Sequence, residues 1–122
     1  MCDELDIWID RAQLNANDRE QIIAATIEQV RKDFALQGID LQTNKFPNER
    51  LVYSFSTLLD DMEFLHDTRL PALLYQLDLK ESEISYKLTS SKPAEVYKVL
   101  ARSILKRCFE KVMWRRKYQS GE

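Results

Sequence analysis

A chain of 122 residues, 44% hydrophobic and 31% charged, is near the commonest domain size and outside the disordered class; it can bury roughly two-thirds of the surface its unfolded chain exposes. Two glycines and three prolines leave few turns that demand positive φ, which favours helices. The net charge of -2 divides unevenly: residues 1–67 hold 14 Asp and Glu against 6 Lys and Arg, a balance of -8, whereas residues 68–122 hold 6 against 12, a balance of +6.

In residues 1–15, Leu5, Ile7 and Ile9 alternate with acidic side chains around Trp8. The segment reads as an arm that docks Trp8 either onto the body or onto another chain, strand or helix being open. Asn17 and Glu20 have the spacing of a capping box, and Ile23, Ile27, Val30 and Phe34 continue at helical period. Gly38 suits the left-handed residue that closes such a helix. Pro47 is placed for a first turn, and Leu51, Phe55, Leu58, Met62 and Leu65 predict a second helix to about Asp67.

Pro71 disfavours helical backbone at Leu70, so a turn is expected there, with Thr68 as the cap of a short apolar segment through Leu73, Leu74 and Leu77. Asp78 with Glu81 repeats the capping spacing and predicts a fresh short helix, although Ile84, Tyr86 and Leu88 also alternate like a strand. From Pro93 to about Tyr118, Tyr97, Leu100, Ala101, Ile104, Leu105, Cys108 and Val112 fall on one broad face of a helix roughly 39 Å long. The fold class is therefore all-α: one domain over residues 1–122, an irregular antiparallel bundle of three long helices plus one or two short ones, with residues 119–122 a frayed tail.

Few residues suggest chemistry. Cys2 and Cys108 lie too far apart in sequence for a zinc motif, and Cys108 on the apolar stripe reads as a small hydrophobe. Asp60, Asp61, Glu63, His66 and Asp67 include one Glu-x-x-His step, but di-iron bundles need two and His66 is the only histidine. The seam through Leu51 to Leu65 turns these carboxylates to water, so neither metal nor cofactor is expected. Phosphate loops need clustered glycines, and no G-x-S-x-G elbow accompanies any serine, which argues against an enzyme. No apolar run approaches the ~18 residues of a membrane span and no secretory leader is recognisable, so a cytoplasmic protein without a membrane partner is expected.

Two binding readings remain. Residues 92–118 carry nine Lys and Arg, with Lys98, Arg102, Lys106, Arg107, Lys111 and Arg115 as a candidate basic face for nucleic acid, against a pI near 5.5. Apolar side chains exceed one stripe per helix: Trp8, Tyr53, Phe64, Phe109, Met113 and Trp114. Trp8, Phe109, Met113 and Trp114 are the candidate interaction residues. The favoured reading is a helical protein-interaction module that self-associates as a homodimer in which Phe109, Met113 and Trp114 meet a second copy, with nucleic-acid binding as the alternative.

Overall fold

In the computed structural model, residues 7–8, 16–42, 50–79 and 92–119 are described. Among the described residues the helices bounded at both ends are, in order, α1 (Ala16–Leu36), α2 (Leu51–Asp61), α3 (Leu70–Gln76) and α4 (Pro93–Gln119), with a 3-10 turn at Phe64–His66 between α2 and α3. Among the described residues there is no strand. The helix expected to follow Asp78, the strand-like residues 84–88, Pro47 and Cys2 lie outside the described residues.

Helix α4 is the axis on which α1 and α2 both pack. Lys92 accepts backbone bonds from Glu95 and Val96 at 3.0 and 3.1 Å, so Pro93, which lacks an N–H, falls where none is needed. The expected stripe is buried, from Tyr97 through Leu100, Ala101, Ile104, Leu105 and Cys108 to Val112, with Val96 and Phe109 added to it. Burying the Tyr97 ring requires a partner for its hydroxyl, and that hydroxyl accepts the Leu65 N–H at 3.1 Å, tying α4 to the 3-10 turn.

Helix α1 begins at Ala16, so Asn17 already stands inside its first turn rather than ahead of it. Its other end closes as expected. Gly38 has φ +77°, its N–H reaches the Ala35 carbonyl at 2.9 Å, and the Ile39 N–H reaches that of Phe34 at 3.0 Å. This is a Schellman closure, and its hydrophobic partners Ile39 and Phe34 are both in the core. Phe34 also stacks on Phe64 at 5.4 Å and meets Phe55 edge-on at 5.8 Å, so one aromatic cluster joins α1, α2 and the 3-10 turn.

Helix α2 is shorter than its apolar spacing predicts. It stops at Asp61, because Glu63 takes left-handed backbone at φ +50° and its N–H turns back to the Asp60 carbonyl at 2.9 Å. The buried face is Leu51, Val52, Phe55 and Leu59, while Leu58, Met62 and Leu65 are only partly buried. A straight helix drifts off a 3.5-residue seam, which accounts for Leu59 replacing Leu58 at the centre. Phe64, fully buried, is core rather than surplus surface.

Helix α3 includes both Leu70 and Pro71, since a proline in the first turn removes no intrahelical bond. The carboxylate of Asp67, not Thr68, serves this helix start by accepting the Arg69 N–H at 2.8 Å. At the other end Asp78 sits at φ +59°, with its N–H on Tyr75 and that of Leu79 on Leu74. Asp78 is therefore the left-handed closing residue of α3 and not the cap of a following helix, which would need extended backbone.

Candidate functional site

Position around α4 separates its side chains by role. Phe109 and Met113, four residues apart, share one flank, and Trp8 lies on it with its ring centroid 5.9 Å from that of Phe109. Phe109 is 8% exposed and Met113 is partly buried against the core. The Phe109 part of the flank expected to seek a second copy is thus covered by Trp8 of the same chain. Trp114, one residue past Met113, stands about 100° further round the helix and is 64% exposed. The four candidate interaction residues therefore form two separate surfaces.

The opposite flank faces α1 and is polar. Lys111 Nζ pairs with Asp33 Oδ2 at 3.3 Å, Arg116 pairs with Asp18 at 2.5 Å, and Arg115 donates to the side-chain carbonyl of Gln29. Partners ascend along α4 as they descend along α1, so the two helices are antiparallel. Arg107 Nε donates to the Leu77 carbonyl at 2.9 Å, satisfying an acceptor at the end of α3. Of the candidate basic face, Lys111 is spent on an acidic residue of α1, Arg107 and Arg115 on neutral oxygens, Arg102 is half-buried, and Lys98 and Lys106 are exposed.

At the centre of this flank is Asp33, 4% exposed, the most deeply buried acid of α1. Its carboxylate accepts from Gln29 at 3.1 Å, Gln76 at 3.3 Å, Cys108 Sγ at 3.4 Å and Lys111 at 3.3 Å. Gln76 also donates to the Asp33 backbone carbonyl at 3.1 Å and accepts from Gln37 at 2.6 Å. Buried carboxylates persist only when paired and fully bonded, and this one joins α1, α3 and α4. Burial, then the Asp33 charge and its hydrogen bond, push the Cys108 thiol well above its ordinary range. A protonated, enclosed thiol is a poor nucleophile, so the thiol–carboxylate–ammonium cluster holds helices together rather than attacking a substrate.

The acidic group near His66 does not converge. Glu63 ends α2 in left-handed backbone and His66 lies in the 3-10 turn, so their Glu-x-x-His spacing does not set them one above the other on an α-helix. Asp60, Asp61, Glu63 and His66 are exposed. Asp67 is held by Arg69 through bonds of 2.9 and 2.8 Å, which with the Arg69 backbone N–H draw its pKa down to about 2. Among the described residues no group of three or more His, Cys, Asp and Glu side chains is placed to hold a metal ion.

Three large apolar side chains are exposed near residues of the Asp33 network along their helices. Leu36, 73% exposed, precedes Gln37; Tyr75, 89% exposed, precedes Gln76; Trp114 lies between Lys111 and Arg115. Each of these large apolar side chains is thus next to, or within one turn of, a residue bonded into that network. Trp114 itself lines a shallow cleft of about 500 Å³ with Arg107, Glu110, Lys111 and Arg115. The exposed ring of Tyr53 is covered by the guanidinium of Arg50, 4.4 Å from its centroid. Leu36 and Tyr75 are absent from the sequence-derived candidates because each looks like one more apolar residue of a helical period. No family model, curated protein or solved structure matches the chain.

Proposed function

We propose that the protein works by binding another protein through the surface formed by Trp114 of α4 and the adjoining ends of α1 and α3, with Leu36 and Tyr75, and not by catalysis. The observation that carries this is the exposure of three large apolar side chains, each beside or within one turn of a residue of the Asp33 network along its helix, on a fold where, Tyr53 apart, the aromatics Trp8, Phe34, Phe55, Phe64, Tyr97 and Phe109 are buried or half-buried. Interface centres are enriched in Trp and Tyr, which supply contact area at little conformational cost, and the Asp33 network fixes the three helices that carry these side chains relative to one another.

Two comparisons favour protein over nucleic acid. Lys111 and Arg116 already face Asp33 and Asp18, which lowers the count of cations free to neutralise phosphates. The acidic half of the chain, at -8, also repels a long polyanion. A second copy is a weaker occupant than a different protein, because a two-fold contact through this flank sets the positive charge of Arg107 and Arg115 against the same charge on the other copy.

The test compares the wild-type chain with the double variant Tyr75→Ala and Trp114→Ala, both exposed positions whose loss leaves the core intact. Each is used as bait in extract of the native host. A discrete protein retained by the wild type in stoichiometric amount and lost from the variant, with equal helical content by circular dichroism, is the expected result. Equal retention by both baits, or retention of nucleic acid that falls steeply with salt, overturns the proposal.

A further inference from the structure

Resting on that reading, we infer that the Trp114 cleft accepts an acidic segment of the partner protein, its carboxylates bound by Arg107 and Arg115 and an apolar side chain laid on Trp114. The two arginines differ from the other cations of this flank in what they bond. Lys111 and Arg116 meet carboxylates, whereas Arg107 donates to the Leu77 carbonyl and Arg115 to the Gln29 amide oxygen. Neutral acceptors orient a guanidinium without cancelling its charge. Each guanidinium has five N–H donors in a planar fork, so a fork fixed by one such bond retains donors for a carboxylate, the group it fits best.

The spacing and composition of the cleft agree with this. Arg107 and Arg115 are eight residues apart, about 12 Å along the axis, the reach of roughly four residues of extended chain. Trp114 directly precedes Arg115 and lines the same cleft. Three basic side chains line it against the single acid Glu110, and only Lys111 of the three is neutralised by a buried carboxylate. A short acidic segment meets this local excess of positive charge and escapes the repulsion that the acidic half of the chain exerts on a long polyanion.

The experiment places a photoreactive benzoyl-phenylalanine at position 114 of the full chain in host cells and, as reference, at the exposed position Ala24. Adducts are then sequenced by mass spectrometry. Crosslinks from position 114 are expected to fall on peptides bearing at least two Asp or Glu, and to be lost with Arg107→Gln plus Arg115→Gln. Should Arg107→Gln unfold the chain by freeing the Leu77 carbonyl, Arg115→Gln alone carries the test, since Arg115 bonds only a side chain. Crosslinks to peptides without acidic residues, unchanged by the arginine variants, overturn the inference and leave protein binding standing. Nucleotide adducts, or no adduct beyond that of the reference position, overturn both.

Discussion

Replacing Asp33 with Ala examines whether the buried polar network holds the bundle together. The change leaves the ammonium of Lys111, the amides of Gln29 and Gln76 and the thiol of Cys108 without their shared acceptor, although Gln76 keeps its bond to the Asp33 backbone carbonyl. Removing one member of a buried ion pair costs about 3 to 5 kcal/mol. Lys111 is 27% exposed in its side chain and can turn its charge to water, which lowers the expected loss to about 2 to 3 kcal/mol. Asp33→Asn keeps one oxygen for the amides and should cost about half as much. Urea unfolding followed by circular dichroism gives both values, provided the slope with denaturant is unchanged. Lys111→Met alone and with Asp33→Ala completes a cycle in which coupling of roughly 1 kcal/mol is expected. A loss below about 0.5 kcal/mol for Asp33→Ala refutes the reasoning, because a buried carboxylate whose removal costs so little is not joining helices.

Glu63 and Asp78 occupy left-handed backbone, so Glu63→Gly and Asp78→Gly should each stabilise the fold by about 0.5 to 1 kcal/mol in the same unfolding assay, whereas Gly38→Ala should destabilise it. In a Cys2→Ser background, Cys108 should resist a thiol reagent at pH 8 until the protein unfolds. Its raised pKa adds stability that is complete below the ordinary thiol range and is lost as pH rises through it, a loss that Cys108→Ala removes. The Asp67 carboxyl should titrate near pH 2 by NMR and return toward 3.8 in Arg69→Gln. Its depressed pKa contributes stability above the ordinary carboxylate range, lost as pH falls toward 2.

The long helix was legible because seven apolar residues from Tyr97 to Val112 repeat one period over four turns, more than chance alternation supplies. Gly38 was legible for a different reason: glycine is the residue that left-handed backbone selects. Where Glu63 and Asp78 take the same conformation the sequence carries no such mark, and Asp78 even mimics a helix start, since aspartate serves both roles. Tertiary pairing was the least visible. Asp33 reads as one more acid of an acidic helix, although Ile22, Thr26, Gln29 and Asp33 recur at helical spacing on the face that meets α4. The Thr26 hydroxyl, donating to the Ile22 carbonyl at 2.7 Å, lies buried on that same row. The docking of Trp8 on Phe109 joins residues about a hundred positions apart, a contact no local pattern encodes, and it covers one of the two surfaces into which the expected interaction residues fall.

The most direct test of protein binding at the Trp114 surface is the mass of the particle that contains this chain in gently lysed host cells, read by size exclusion with light scattering. A particle heavier than the 14.4 kDa chain, holding a second protein and collapsing to 14.4 kDa with Tyr75→Ala and Trp114→Ala, is the predicted result. A free 14.4 kDa chain in the untreated lysate, or a heavy particle that the double variant leaves unchanged, contradicts it.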